Sequence, residues 1–360
     1  MKKKCLFVCV TFAVWFLSGC IETENPVKTE EDSFKYIDIQ EYACPDDGTG
    51  NPYVDQMVRY GDYVYAGLQR RNGFEPGCNS QVLKIDIATD KVVEIYDLKF
   101  KNNYSIVIVD NKLYASNPGS SYQTGDGAIE KLDLTSGKIS TVITEDILGG
   151  SPNQIVHKSG TRFYVQVYIE YENVPVYEID FDNGEIIDTL EGVVNAFGGF
   201  CYDNETERLF VSEWVTDDAG VKIFKDNIKI GETVSSSMTL PPSSMSILNG
   251  KLFLTETDYR TGILEWMKVN GESMGKSWME ISSDAIIRED GTWIYVIERF
   301  GSDKLMRIDP NNIKNDAINY ETIFDEGSNP VDIEIVTSNK AYVSLQKIPR
   351  IVVIDPNIGR

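Results

Sequence analysis

The chain has 360 residues, and its 56 acidic residues outnumber 34 lysines and arginines, which gives a formal net charge of −22. A surface this acidic repels nucleic acids and anionic lipid headgroups, so neither is an expected partner. His157 is the only histidine and lies in a predicted strand. Multi-histidine metal sites and a Ser-His-Asp relay are therefore excluded.

The first 19 residues have the pattern of a secretory signal peptide. Three lysines at 2–4 precede an apolar run over 5–17, which is shorter than the roughly 20 residues that a membrane-spanning helix needs. The next segment, Leu17-Ser18-Gly19-Cys20, resembles the lipobox of bacterial lipoproteins, in which the cysteine is lipidated and becomes the mature N-terminus. The resemblance implies a lipid anchor at Cys20, and an ordinary cleaved signal peptide is the alternative.

Residues 20–33 are polar and acidic and have neither strand nor helix periodicity, which predicts a flexible tether. The residue after the cysteine is Ile21 rather than Asp, and this resembles the outer-membrane sorting pattern of Gram-negative bacteria. We therefore expect a lipid-anchored protein of the cell envelope, on the outer membrane. Whether it faces the periplasm or the exterior stays open.

An aromatic residue inside an apolar strand recurs at intervals of 42 to 50 residues through the rest of the chain. The seven positions are Tyr65, Tyr114, Tyr164, Phe210, Phe253, Tyr295 and Tyr342. Seven copies of this length predict an all-β fold, a seven-bladed β-propeller with one four-stranded sheet per copy.

Each copy divides into strands a, b, c and d, but the last copy stops after its strand c, near Ile354. Residues 34–39 form an additional segment of alternating character ahead of the first strand a. We predict that this N-terminal strand completes the last blade and closes the ring, which leaves no open sheet edge. The domains are then a signal peptide over 1–19, a tether over 20–33 and a propeller over 34–360.

The seventh copy also carries a family resemblance. Its three segments are Pro330-Val331-Asp332-Ile333, Ala341-Tyr342-Val343-Ser344 and Val352-Val353-Ile354-Asp355. They resemble the Tyr-Val-Thr-Asn type of propeller repeat (YVTN) found in bacterial and archaeal surface proteins. The resemblance extends over 34–355, is weaker in copies four and five, and implies a fold rather than a chemistry.

Three cysteines follow Cys20 in the sequence: Cys44, Cys78 and Cys201. Cys44 and Cys78 lie in loops that should emerge on the same face of the ring, and an oxidising compartment would allow them to bond. We predict a disulfide between these two residues, with Cys201 buried and unpaired in a strand.

The loops between strands b and c, and between strands d and a, are long and varied, whereas the loops of the opposite face are short. Function is usually carried by long loops on a rigid scaffold, so we assign the site to this long-loop face. Its arginine and aromatic residues suit a flat or anionic ligand, although each could instead pair within the ring. The predicted ligand-binding residues are Arg70, Arg71, Phe74, Tyr122, Tyr168, Trp214, Tyr259, Arg260, Arg299 and Phe300.

Three glutamates, Glu213, Glu256 and Glu298, stand three residues beyond the strand b aromatic in three consecutive copies. Carboxylate oxygens suit calcium, as in lactone-hydrolysing propellers, so these residues are the metal candidates. Calcium is the one cofactor that the sequence suggests, and buried ion pairs are the favoured alternative.

These features favour a monomeric binding protein of the cell envelope over an enzyme, with a small molecule or an envelope protein as its partner. In fold and anchor it resembles propeller lipoproteins of gut bacteria that capture cobalamin or siderophores for an outer-membrane transporter. Two alternatives stay open: a calcium-dependent lactonase or lyase, and a non-catalytic scaffold for envelope assembly or polysaccharide adhesion.

Overall fold

The computed structural model describes residues 34–44, 51–72, 75–120, 125–170, 173–214, 219–236, 238, 240–271, 273–314 and 318–359. They form seven antiparallel sheets in a ring, which confirms the predicted seven-bladed β-propeller. The predicted signal peptide, Cys20 and the tether, together with Phe74 and Tyr122, lie outside the described residues.

Strands a of neighbouring blades contact one another, so they surround the ring axis, and strands b, c and d follow outward. Blade 1 consists of Asn51–Tyr60, Tyr63–Asn72, Asn79–Asp86 and Lys91–Lys101, with the short strand Glu75–Pro76 paired to its strand b. Blade 2 consists of Ser105–Val109, Lys112–Asn117, Ala128–Asp133 and Ile139–Thr144, and blade 3 of Ser151–Ser159, Arg162–Tyr168, Val176–Asp180 and Glu185–Thr189.

Blade 4 consists of Phe200–Asp203, Arg208–Glu213, Gly220–Lys225 and Ile228–Val234, and blade 5 of Pro242–Leu248, Lys251–Thr257, Gly262–Lys268 and Met279–Ile281. Blade 6 consists of Ala285–Glu289, Ile294–Glu298, Lys304–Ile308 and Ile318–Ile323. Blade 7 consists of Pro330–Thr337, Lys340–Leu345, Arg350–Ile354 and the N-terminal strand Lys35–Asp38. The helical elements in the described residues are an α-helical turn, Glu145–Leu148, and a 3-10 turn, Gln40–Tyr42.

The N-terminal strand closes the ring as predicted. It pairs antiparallel with strand c of blade 7, with Tyr36 opposite Val352 and Ile37 opposite Ile351. Both ends of the propeller therefore lie in one blade, and the edge of that blade is covered by the chain itself.

The repeated aromatic residues are buried between blades. All seven are at most 3% exposed. Each packs against the first two strands of the following blade, as Tyr114 does against Phe163 and Val165, and Tyr342 against Val54 and Val64 of blade 1. The repeat period thus marks the blade-to-blade contacts, which hold most of the core.

Loop lengths differ between the two faces, but less completely than the sequence suggested. The a-to-b connections are short, as at Asp110 and Asn111, whose φ angles of 47° and 60° are those of a two-residue hairpin turn. The c-to-d connections of blades 5 and 6, 269–278 and 309–317, are long. The first of these folds back on its own blade, where Trp266 Nε1 donates to Ser277 Oγ at 3.0 Å.

Cys44 and Cys78 form a disulfide in the structure, with their Cα atoms 5.7 Å apart. Cys201 lies in strand a of blade 4 and is the one free cysteine among the described residues. The disulfide attaches the chain that follows the closing strand to the b-to-c loop of blade 1.

Candidate functional site

A cavity of about 280 Å³ lies on the ring axis. Strand a of every blade contributes to its wall, in several blades through residues at the start of the strand, such as Ser105, Phe200 and Ser243. Strands a begin at the d-to-a loops, so the cavity lies toward the long-loop face that the sequence singled out. Its volume is at the lower end of the range for small-molecule sites.

One side of the cavity is charged. Arg288 and Arg299 line it together with Asp55. Arg299 donates from Nε and Nη2 to Asp284 Oδ1 at 2.9 and 2.7 Å, and Arg288 donates from Nε to Asp332 Oδ1 at 2.7 Å. These carboxylates fix the two guanidinium groups at the cavity wall, and the arginine side chains stay 28% and 33% exposed.

Asp55 is the acidic group of this charged side. Its side chain reaches the cavity and accepts a hydrogen bond from the amide of Gln69. Burial raises the pKa of Asp55 to about 7, a shift that the positive charges of Arg71 and Arg299 reduce and the negative charge of Asp332 adds to. The carboxyl therefore exchanges its proton near neutral pH.

Arg71 lies behind Asp55 rather than on the cavity wall. Its Nε donates to Gln69 Oε1 at 2.6 Å and its Nη2 to Asn102 Oδ1 at 2.9 Å, while its guanidinium stands 5.3 Å from the ring centroid of Tyr53. The Tyr53 hydroxyl donates to the same Gln69 oxygen at 2.8 Å. This network orients Gln69, and through it the Asp55 carboxyl.

An aromatic cluster lies across the ring from the charged side. Phe197 lines the cavity from the loop before blade 4, and its ring meets Trp214 edge-on at 5.2 Å between centroids. Tyr259 stands 5.7 Å beyond Trp214, in the b-to-c loop of blade 5. Trp214 Nε1 donates to the Pro242 carbonyl at 2.5 Å, so the cluster bridges blades 4 and 5.

Glycine is required beside this cluster. A Cβ at Gly198 would stand 1.7 Å from the Pro242 carbonyl oxygen and 2.7 Å from Trp214 Nε1. Gly199 has a φ of +84°, which favours glycine. The next residue, Phe200, is held by both polar atoms of the Gln154 amide, at 2.9 and 3.0 Å. The turn can therefore place Phe197 against the cavity only with these glycines.

The other predicted binding residues have different positions. Arg70 holds the N-terminal segment, since its Nε and Nη2 donate to the carbonyls of Tyr42 and Ala43 at 2.8 and 3.1 Å. Arg260 and Phe300 are exposed in the b-to-c loops of blades 5 and 6, and Phe300 is 59% exposed. Tyr168 is half-buried at the end of strand b of blade 3. Of the eight predicted residues that the structure describes, Arg299 lines the cavity directly and Trp214 supports its wall.

The three candidate metal ligands occupy equivalent places, as predicted, but each has its own surroundings. Glu213 pairs with buried Lys222 at 2.7 Å, and Glu298 with Lys304 at 3.2 Å. Glu256 lies near a second acid, Glu265, and its burial raises its pKa to about 9. Within the described ranges, no group of three or more His, Cys, Asp or Glu side chains is arranged to hold a metal ion.

Sequence reasoning missed Asp55, Arg288, Phe197 and Tyr104, which also lines the cavity. Asp55 and Arg288 are polar residues in strands a, where the innermost strand of a blade is otherwise expected to be apolar. That departure was the available signal. Phe197 and Tyr104 stand in d-to-a loops, where no pattern separates a cavity residue from a packed one.

No protein-family model matches the chain, and no curated protein matches it. Among the described residues, no helix is long and apolar enough to span a membrane.

Proposed function

We propose that this protein is a lipid-anchored envelope protein that binds a small ligand in the axial cavity and does not transform it. The observation that carries the proposal is the cavity itself, where two fixed arginines and Asp55 stand opposite the Phe197 cluster. Convergent polar groups in a concave site fix the orientation of a small ligand, and most of this cavity wall is polar. The lipobox at Cys20 supports the anchor, and capture for a membrane transporter would follow from the two together.

The exposed rim supports a second candidate, in which the long-loop face binds an envelope protein. Tyr259 and Phe300 are 60% and 59% exposed there. Arg299 is 5.8 Å from the Phe300 ring centroid. Exposed aromatic residues beside arginine are typical anchors of protein interfaces. A partner protein would depend on Phe300, whereas a ligand in the cavity would not.

Thermal unfolding of the purified protein with panels of corrinoids, siderophores, oligosaccharides, organic acids and calcium tests the proposal. A ligand at 100 times its Kd should stabilise the fold by about 2.7 kcal/mol. We expect Arg299→Ala and Trp214→Ala to abolish the shift, because each removes part of one cavity wall.

Two matched variants serve as controls. Arg260→Ala removes an exposed arginine from the same set of loops, and Trp278→Ala removes a 38% exposed tryptophan from the opposite face. Both should keep the full shift. If the ligand still stabilises both Arg299→Ala and Trp214→Ala against thermal unfolding, the binding site does not lie in the cavity.

A further inference from the structure

The charges around the axial cavity are balanced when Asp55 is ionised. The three arginines next to it are Arg71, Arg288 and Arg299, and the three acids are Asp55, Asp284 and Asp332. Asp284 and Asp332 are each bound to an arginine, which leaves Asp55 as the acid held by a neutral partner, the Gln69 amide. A proton on Asp55 therefore leaves Arg71, which lies behind this carboxyl, without a counter-charge among these three acids.

Other titratable groups near Asp55 lie deeper or are already bonded. Glu334 follows Asp332 by two residues in strand a of blade 7, where its Oε1 accepts the Arg59 amide at 3.0 Å. Strand a of blade 2, Ser105–Val109, carries no titratable side chain. Tyr53 keeps its proton, because burial raises its pKa further above the ordinary value. Burial also raises the pKa of Glu334 to about 7, but Glu334 does not line the cavity. Asp55 is thus the cavity-lining acid whose charge changes near neutral pH.

The opposite side of the cavity offers a flat apolar surface. The Phe197 side chain is 40% exposed, and Trp214 meets its ring edge-on. Tyr104, which is 44% exposed, lines the cavity from the loop before blade 2. Offset stacking on such rings favours a planar group over a flexible chain.

We infer that the axial cavity takes a small planar organic acid, whose carboxylate lies against Arg288 and Arg299 while its ring lies on Phe197, and that Asp55 takes up one proton when it binds. This inference rests on the proposed function and names the class of its ligand. Within each guanidinium fork one nitrogen has no hydrogen bond to a described residue, Nη1 of Arg299 and Nη2 of Arg288, and these nitrogens can donate to a carboxylate of the ligand. A protonated Asp55 can in addition donate one hydrogen bond to the ligand, and the proton comes from solvent.

A ligand cation is disfavoured by the same geometry. It would stand beside two guanidinium groups, which have no acceptor to offer it, and the carboxylates of Asp284 and Asp332 already accept from these arginines. Like charges brought together in a partly enclosed site repel strongly. The carboxylate is therefore the charge that this wall accepts.

Calorimetric titration of the purified protein with indole-3-acetate, indole-3-acetamide and tryptamine tests the inference, because the three probes share a ring and differ in charge. We expect the acetate to bind at least about tenfold more tightly than the amide, and tryptamine not to bind. The affinity for indole-3-acetate should be about tenfold weaker at pH 8 than at pH 6, because the Asp55 carboxyl, with a pKa of about 7, is mostly ionised at the higher pH. Titrations in two buffers of different ionisation enthalpy should show proton uptake.

Asp55→Asn is the decisive variant. The amide keeps the shape of a protonated carboxyl and cannot ionise, so it should keep the affinity measured at pH 6, lose the pH dependence and show no proton uptake. Arg299→Lys keeps the positive charge but loses the planar guanidinium fork. It should weaken the binding of indole-3-acetate and leave the binding of indole-3-acetamide unchanged. The melting temperature of each variant without probe establishes that it is folded.

Three results would overturn the inference: equal binding of the amide, preferred binding of tryptamine, or no binding of any probe. None of these results would contradict the proposed function if another ligand still raises the melting temperature of the wild type and not that of Trp214→Ala. A ligand-induced rise in melting temperature that is unchanged in both Trp214→Ala and Arg299→Ala would instead contradict the proposed function. The wild-type pH profile alone decides the role of Asp55 if Asp55→Asn fails to fold.

Discussion

Replacing residues 34–39 by an equal length of Gly and Ser is expected to lower the melting temperature of the whole ring by about 10 °C or more. Ile37 and Ile39 of this segment are 8% and 0% exposed, and they pack with Val54 and Tyr342 in the cluster between blades 7 and 1. Removing one buried isoleucine costs about 2–5 kcal/mol. The replacement also exposes the edge of blade 7.

Point variants separate packing from strand pairing. Ile39→Ala should account for about 2–5 kcal/mol of the loss. Asp38→Ala is the control, because its side chain is exposed and, among the described residues, accepts a hydrogen bond from the Gln40 backbone amide alone, at 2.8 Å. Such a surface change should stay within about 0.5 kcal/mol. A replaced segment with a wild-type melting temperature would mean that the ring closes without this strand.

Glu256→Gln is expected to stabilise the protein at pH 8 and to change its stability little at pH 5. Glu256 is 1% exposed, and neither of its carboxyl oxygens has hydrogen-bond geometry with a described residue, although the Ser236 side chain lies beside it. Burial raises its pKa to about 9, and the charge of Glu265 adds to the shift. The carboxyl is therefore protonated in the folded protein at neutral pH.

The sign of the pH dependence follows from this proton. The unfolded chain releases it near the ordinary pKa of 4.5, while the folded protein keeps it up to about pH 9. Stability from this group is then complete below pH 4.5 and falls as the pH rises toward 9, by up to about 1.4 kcal/mol per pH unit. Glutamine has the shape of the protonated glutamate side chain and does not ionise. Denaturant titrations at pH 5, 6.5 and 8 should therefore show that the wild type loses stability relative to Glu256→Gln as the pH rises.

Blade 4 provides a control for this effect. Lys222 occupies the place in strand c that Glu265 has in blade 5, and it pairs with buried Glu213 at 2.7 Å. Glu265→Lys should supply Glu256 with the same kind of partner and remove most of the pH dependence. Parallel stability profiles for wild type, Glu256→Gln and Glu265→Lys would contradict the explanation.

The sequence predicted the fold well because one residue type repeats at one structural position. Tyr65, Tyr342 and their equivalents recur at the blade period, since each fills the gap to the next blade. The last copy has no strand d of its own, so its strand c needed another partner, and residues 34–39 supply it. The long c-to-d connections of blades 5 and 6 escaped prediction. Their lengths are set by local packing, such as that of Ser277 on Trp266, and not by the repeat.

The site was predicted less completely, for a physical reason. The axial cavity lies toward the long-loop face, and Arg299 and Trp214 stand at it, but most of the other predicted residues do not. Arg70 is an arginine of the same set of loops as Arg299, but its guanidinium donates to three backbone carbonyls. Which arginine faces the axis depends on contacts between residues far apart in the chain, and a list of loop residues does not contain that information.

The pairing of Tyr36 with Val352 joins residues 316 positions apart, which has a consequence for the order of folding. The first strand of the propeller to be synthesised has no partner until strand c of blade 7 exists. Contacts of such sequence separation form slowly, because the whole intervening chain must first be arranged. Throughout that interval the edges of the N-terminal strand and of blade 7 are open to chaperones or to a second chain. The ring is completed only when its earliest segment returns to its latest one.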